Sequence, residues 1–415
     1  MTPAARRAAG ALLTALALAI LLLPAARPAP ALAAPPDVRA PAAILVEPAT
    51  GDVVFERNAR DRRSVASTTK LMTALLTLEG RKLGDVVTAT RYNGSPAESV
   101  IGLRAGERLT IADLLRGLML ASANDAAATL AARVGGSRAR FVRLMNRRAR
   151  ELGLRDTHYA NPIGLDQDGN YSSAEDLVKL TLILRRHEFF RRITDLPRAT
   201  LDSGGQVRSI VNRNALVRTV PAVNGVKTGR TQSAGYVLVG SATRDGVTLV
   251  SAVLGEPSEP ARDADSLALL RYGLDRYRRA TAVGRGRTYA RAALRFRDER
   301  VELVATRTVR RTVRRGDALR TRVVGAPTEV EGPLPAGARV GTIEVRWRGR
   351  AIDRVALVTS RAVPAPSLMQ RLDGVIGRTL IVLAAAVVAL GSLQVVLLRR
   401  SHRRRRSPAG GTEVA

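Results

Sequence analysis

Apolar and polar positions follow two rhythms along the first part of the chain. Ala42 to Glu47 is a nearly continuous apolar run and Asp52 to Glu56 a second strand-like run. Pro48-Ala49-Thr50-Gly51 between them predicts a hairpin. From Ser67 the rhythm becomes helical: Leu71, Leu75 and Leu78 recur on one face, with Met72 and Leu76 beside them. Thr110 and Asp113 have the form of a capping box that starts a helix through Leu120. After a break at Ser122 to Asp125, Ala126 to Val134 continues helical. Tyr236 to Ala242 and Val247 to Leu254 are β-rich runs joined by Asp245-Gly246, a strong hairpin signal. Asp265 to Tyr277 reads as helix again. The first large unit therefore combines an antiparallel sheet with a block of helices, an α+β arrangement.

The pattern changes after about Arg279. From Arg285 to Val363 short alternating runs such as Val301-Glu302-Leu303-Val304 and Thr342-Ile343-Glu344-Val345 are separated by turn clusters, Gly332-Pro333 and Ala336-Gly337 among them. This predicts a small all-β domain.

Both ends carry membrane signals. Arg6 and Arg7 precede the apolar run Ala11 to Leu23, which Pro24 ends, and Ala31-Leu32-Ala33 offers the small residues a signal peptidase reads. Thr379 to Leu398 has no formal charge, and a 20-residue helix of that kind spans a hydrocarbon core of about 30 Å. Arg399, Arg400 and Arg403 to Arg406 follow at once, which places the tail in the cytoplasm and everything before it outside. The expected order is a signal peptide (1–33), a linker (34–41), a catalytic domain (42–282), a small β domain (283–363), a linker (364–374), a transmembrane helix (375–398) and a basic cytoplasmic tail (399–415).

Composition narrows the chemistry. The 415 residues contain no cysteine and three histidines, which removes disulfides, thiol nucleophiles and thiolate sites and leaves no histidine-built zinc site. No metal or other cofactor is expected. The net charge of +31 is almost all arginine; the lysines are Lys70, Lys82, Lys179 and Lys227. Such a charge draws polyanions, acidic lipid and anionic wall polymers among them, but the arginines are scattered as a general bias toward Arg and Ala would scatter them. Aromatics make up only 3% of the chain, too few for the stacking platforms of a nucleic-acid binder, so no nucleic-acid partner is expected. In the β domain Arg310, Arg311, Arg314 and Arg315 are the candidates for meeting wall polymers.

Three short motifs stand out in order: Ser67-Thr68-Thr69-Lys70, Ser122-Ala123-Asn124 and Lys227-Thr228-Gly229. A serine hydroxyl is a weak nucleophile and needs a base within reach. On a helix Ser67 and Lys70 share a face. Lysine serves as a base only when burial or a nearby cation depresses its pKa, and Lys227 is a candidate for that cation. A serine at a helix start also brings backbone N–H groups to the reacting carbonyl. By chance S-x-x-K arises roughly 0.2 times and K-T-G roughly 0.02 times in a chain of this composition, and all three in order less than about once in a thousand.

This set is found in penicillin-binding proteins and class A β-lactamases. Ala66-Ser67-Thr68-Thr69-Lys70-Leu71-Met72-Thr73-Ala74 resembles the active-serine signature of the low-molecular-weight D-alanyl-D-alanine carboxypeptidases. The resemblance extends through Leu103 to Ala126, Gly153 to Leu165 with Asn161-Pro162, Tyr171 to Ala174, and Gly225 to Gly229, covering about Ala42 to Tyr277. Val65 stands where proline is frequent, and Arg230 where His or Tyr is common. The resemblance implies a β-lactamase/transpeptidase-like catalytic domain, an antiparallel sheet flanked by helices, followed by a β domain. It implies peptidoglycan stem peptides as substrate and β-lactam antibiotics as covalent inhibitors. It assigns Ser67 as nucleophile, Lys70 as base, and Ser122 with Lys227 as proton relay to the leaving D-alanine. Asn124 would bond the acyl chain, Thr228 and Lys227 would hold the terminal carboxylate with help from Arg262, Gly229 would be a further substrate-binding residue, and the N–H groups of Ser67 and Arg230 would form the oxyanion hole. His158 lies in a family block with a structural role, and no histidine sits in a triad-like motif.

The same acyl chemistry serves β-lactamases, transpeptidases and endopeptidases. No E-x-x-L-N motif lies between Ser122 and Lys227, which weakens the β-lactamase reading. A non-catalytic wall-binding scaffold would tolerate loss of a motif serine or lysine; none is lost.

Overall fold

The computed structural model describes residues 34–404. The expected signal peptide (1–33) and the last part of the basic tail (405–415) lie outside the described residues. The chain divides into two compact units. One holds residues up to Pro48 with 52–243 and 249–276; the other holds the chain from Tyr277 on with the turns 49–51 and 244–248.

In the first unit β1 (Ala42–Glu47) and β2 (Asp52–Arg57) form the expected hairpin, and every residue of β1 is buried. A 3₁₀ turn, Ala66–Thr69, leads into α1 (Lys70–Gly80). Two short strands, β3 (Val86–Thr88) and β4 (Arg108–Thr110), pair before α2 (Ile111–Arg116). Thr110 caps α2, its side chain accepting from Asp113 N, as the capping box predicts. The helix runs on as a π turn, Gly117–Ala121, and breaks before α3 (Asn124–Gly135). Then come α4 (Arg138–Glu151), α5 (Ala174–Leu184), α6 (Glu188–Thr194), the hairpin β5 (Arg198–Leu201) with β6 (Arg208–Val211), and α7 (Ala215–Thr219).

Strands β7 (Val223–Thr231), β8 (Gly235–Arg244) and β9 (Val247–Glu256) complete an antiparallel five-stranded sheet in the order β2-β1-β9-β8-β7. Asp245 (φ +52) and Gly246 (φ +74) make the tight turn between β8 and β9, both left-handed as such a turn requires. Helix α8 (Glu259–Arg276) starts six residues before the apolar spacing at Asp265 announces it, because its first turn is polar. The core joins Leu71, Met72 and Leu75 of α1 to Leu114, Leu118 and Leu130, and to Val237, Val250 and Leu254 of the sheet.

Two expectations need correction. The segment 34–41 is not a free linker: Val38 and Ala40 are fully buried, and the N–H groups of Arg39 and Ala40 donate to Asp265 at 2.6 and 2.9 Å. The second unit begins at Tyr277 instead of residue 283, because β10 (Tyr277–Val283) pairs with β13 (Val309–Arg314).

That unit is all-β in its folded part, as predicted. A six-stranded sheet runs β14-β16-β17-β12-β11-β15. Its members are β11 (Thr288–Leu294), β12 (Arg300–Ala305), β14 (Arg320–Val324), β15 (Glu329–Val330), β16 (Arg339–Trp347) and β17 (Arg350–Thr359). Inward residues alternate along the strands, Val301 and Leu303, Ile343 and Val345, Val355 and Leu357, and form a separate core. The last helix, α9, covers Leu368–Arg404. Among the described residues no helix is long and apolar enough to cross a membrane; the expected span at 375–398 falls within α9. Several side chains within that stretch lie outside the described set.

Candidate active site

The first motif lies on the 3₁₀ turn. Ala66, at φ +45, opens the turn, Ser67 follows it and Lys70 begins α1. Lys70 is fully buried; its Nζ lies 2.9 Å from Ser67 Oγ and donates to the Ile163 carbonyl at 2.6 Å. Burial pushes its pKa down to about 7, with the Arg213 charge helping and Glu98 and Asp125 opposing.

Ser122 ends the π turn in a left-handed conformation, φ +61 and ψ +31. A non-glycine residue there is strained by about 1–3 kcal/mol and persists only where its surroundings hold it. Its Oγ accepts a 2.9 Å bond from Lys227 Nζ, which also donates to Thr228 O at 2.8 Å. Lys227 is 1% exposed, and burial first, then the charges of Lys70, Arg213 and Arg262, holds its pKa well below the ordinary lysine value. The expected division of labour is thus altered. Burial depresses Lys70, and Lys70 in turn helps depress Lys227.

Strand β7 is the edge of the sheet and runs against the serine turn. A Cβ on Gly229 would lie 2.9 Å from Ser67 N and 3.0 Å from Ala66 Cβ, so only glycine allows this approach. Thr228 is buried beside it, whereas Arg230 is exposed with its guanidinium over the Tyr236 ring, 5.4 Å from the centroid. Arg262, near the start of α8, is 3% exposed, and its guanidinium donates to Glu259 at 2.8 Å and to Asp263 at 2.7 Å. It is therefore ion-paired on its own helix while its charge reaches Lys227.

Asn124 lies at the start of α3, buried, with its Nδ2 donating to Glu98 Oε2 at 2.6 Å. Glu98 also accepts from Tyr92 Oη and, at 2.9 Å, from Ser95 N. Burial alone would raise its pKa, but these bonds and the Lys70 charge hold it below the ordinary value. Glu98, Arg213 and the Ile163 carbonyl are absent from the sequence reading. The last had a trace in Asn161-Pro162: Asn161 Oδ1 accepts from the N–H groups of Ile163, Gly164 and Leu165 and shapes the loop whose carbonyl meets Lys70. Gly164, at φ +93, passes so close to Ala66 that a Cβ would lie 2.0 Å from its carbonyl oxygen. His158 is exposed, its ring bonded to Gly169 O and its backbone paired with Tyr171, a loop-stabilising arrangement. A groove of about 620 Å³ opens beside Ala121, lined by Ile101, Ile210, Val211, Arg213 and Arg218. Among the described residues no acidic or histidine cluster is arranged to hold a metal ion.

A serine one turn from a depressed lysine, a second serine–lysine pair and the edge strand of the sheet beside them define a penicillin-recognising serine acyl enzyme. The family model of D-alanyl-D-alanine carboxypeptidases, peptidase S11, matches residues 29–258, and the chain belongs to that family. It is 33% identical over 344 residues to D-alanyl-D-alanine carboxypeptidase DacA of Escherichia coli K12, covering 79% of this chain and 85% of that one. It is 30% identical to DacF of Bacillus subtilis over 322 residues, 75% of this chain and 83% of the relative. Among solved structures, penicillin binding protein 5 from Haemophilus influenzae matches with a TM-score of 0.57 and 28% identity, over 80% of this chain and 99% of that one.

Proposed function

We propose that the protein is a serine-type D-alanyl-D-alanine carboxypeptidase that removes the terminal D-alanine of peptidoglycan stem pentapeptides. The observation that carries this reading is Ser67 Oγ, 2.9 Å from a fully buried lysine whose pKa is pressed down to about 7. Near neutral pH such an amine can take a hydroxyl proton.

In this reading Ser67 Oγ attacks the carbonyl carbon of the penultimate D-alanine while its proton passes to Lys70 Nζ. The oxyanion takes hydrogen bonds from the N–H groups of Ser67 and Arg230. The C–N bond to the terminal D-alanine then breaks, and the leaving nitrogen receives a proton through Ser122 and Lys227. Asn124 holds the acyl chain. Lys227, Thr228 and Arg262 supply positive charge and donors for the substrate carboxylate, beside the close approach at Gly229. Water then cleaves the ester and frees Ser67. A β-lactam follows the same first step, but its broken amide stays tethered by the rest of the ring. An extended peptide can add to the free edge of β7, and the groove beside Ala121 leaves room for the rest of the stem.

The reading places the catalytic unit outside the cell membrane, after a cleaved leader (1–33) and before a single-pass anchor (375–398). Its support is the uncharged stretch Thr379–Leu398, the arginines that follow it, and the exposed apolar side chains Leu383, Val387, Val388 and Leu390 of α9. Transpeptidase or endopeptidase action would differ only in the acceptor or in the cross-linked substrate.

Labelling with a tagged penicillin tests the nucleophile: a covalent adduct on the parent should vanish in Ser67→Ala. Released D-alanine from a pentapeptide tests the reaction. An adduct that persists in Ser67→Ala, or labelling without D-alanine release, overturns the proposal.

A further inference from the structure

Strands β14, β16 and β17 of the second unit present an outer face whose charges are not balanced. Inward positions Val323, Ile343, Val345 and Val355 join the core, so alternation turns Arg320, Arg322, Glu344, Arg346 and Arg354 outward. Arg320 lies directly opposite Arg346, and Arg322 opposite Glu344, which is itself opposite Arg354. Glu344 is the one carboxylate of this group, bonded to Arg346 at 2.7 Å and 3.6 Å from Arg354. Arg320 forms no ion pair among the described residues, and Arg339 lines the same face beside Glu344. Like charges directly opposite on a sheet are destabilising. A face that keeps Arg320, Arg322, Arg339, Arg346 and Arg354 around Glu344, with Asp317 at one end already paired with Arg348 at 3.1 Å, is therefore suited to an anionic partner.

The face is also concave. One depression of about 410 Å³ is lined by Asp317, Arg320, Arg346, Trp347 and Arg348. A second of about 280 Å³ is lined by Val324, Arg339, Thr342, Glu344 and Arg354. Arg346 and Glu344 are two residues apart on β16, so the two depressions follow one another along the strands, about 7 Å per rung. Of the four arginines singled out by sequence, Arg311 pairs with Asp353 at 2.7 Å and Arg314 lies 5.9 Å from the centre of the Tyr277 ring.

We propose that this face binds a linear phosphodiester polyanion of the cell-wall type, with successive phosphates meeting the arginine rungs. Arginine's planar fork matches phosphate oxygens in pairs. A membrane surface is a poorer fit, because membrane-lying faces carry protruding apolar side chains and this one is recessed between charged rungs. Nucleic acid is poorer still. Its bases need aromatic platforms, and Trp347 is already covered by the Arg348 guanidinium 4.2 Å from its centroid.

The test titrates the full-length protein with a polyglycerol phosphate oligomer at several salt concentrations, reading the emission of Trp347, the only tryptophan. Three proteins are compared: the parent, the Arg320→Ala/Arg322→Ala/Arg354→Ala variant, and an equal-charge control on α4, Arg138→Ala/Arg140→Ala/Arg143→Ala. The face variant should bind at least tenfold more weakly, with the slope of log affinity against log salt reduced by about 2, while the control changes less than threefold. Without polymer at low salt, the face variant should melt close to the parent, because relief of the Arg320–Arg346 repulsion offsets the loss of the exposed pairings of Arg322 and Arg354 with Glu344; this separates lost binding from lost folding. Arg322→Ala alone should shift the salt slope by about 0.7 if the triple variant misfolds. Equal losses in face variant and control overturn the proposal. So does unchanged binding in the face variant, or binding by the parent to phosphatidylglycerol vesicles and not to the free polymer.

Discussion

Gly229→Ala tests how the edge strand and the serine turn are held together. The added methyl would lie 2.7 Å from Val237 Cγ2, 2.9 Å from Ser67 N and 3.0 Å from Ala66 Cβ, where ordinary contact begins at 3.4 Å. Val237 is fully buried and has no open side to move into. Strand and turn must therefore separate by about 0.5 Å, and overfilling of a packed site costs about 1–3 kcal/mol. For a unit of this size that lowers the melting temperature by roughly 2–4 °C per kcal/mol. The same separation moves the Arg230 amide, Thr228 and Lys227 away from Ser67. Misplacement by about 1 Å costs roughly a hundredfold in rate, so a shift of half that size should slow acylation by about tenfold or more. The assay is the second-order rate of acylation by a tagged penicillin, measured beside a thermal melt. An alanine variant that acylates at the parent rate and melts at the parent temperature would refute the close approach of β7 to the serine turn.

Two further outcomes follow from buried ionisable groups. Acylation of the free enzyme should rise with pH through an apparent value of about 7, because Lys70 must shed its proton before it can accept one from Ser67. The midpoint belongs to the coupled Lys70–Lys227 pair, and a rate flat from pH 5 to 8 would contradict the assignment of Lys70 as base. Glu256 is 1% exposed beside Asp265, and burial, then the hydrogen bond and charge of Asp265, push its pKa up to about 7 from 4.5. Over that window the folded protein holds a proton that the unfolded chain has released. Its contribution to stability is therefore full below pH 4.5, declines as pH rises to about 7 and levels off above. Glu256→Gln has no such proton to lose, so denaturant unfolding from pH 4 to 8 should show a shallower decline in the variant; an equal decline would exclude Glu256 as its source.

Elements with a strong period were legible before any coordinates. The hairpins at β1–β2 and β8–β9, the helix after Ser67 and the alternating strands of the second unit all announced themselves. Helix α4 did not, because six arginines leave only Phe141, Met145 and Ala149 to mark its buried stripe. Segment 34–41 reads as a linker from its Ala and Pro content, yet its N–H groups find Asp265, more than 220 residues away in the chain. No local pattern can encode such a partner. Glu98 and Arg213 stayed hidden for the same reason: each acts on the site through a neighbour distant in sequence.

Residue types and spacing alone determined which side chains are equipped for acyl transfer, since Ser67 and Lys70 are one helical turn apart wherever that helix lies. Tertiary structure alone decided the rest. It brought Ser122 to Lys227 across 105 residues, laid Gly229 against the Ser67 amide and buried both lysines. Desolvation is a property of the packed surroundings, not of the residue, so the neutral amine this chemistry needs exists only after folding.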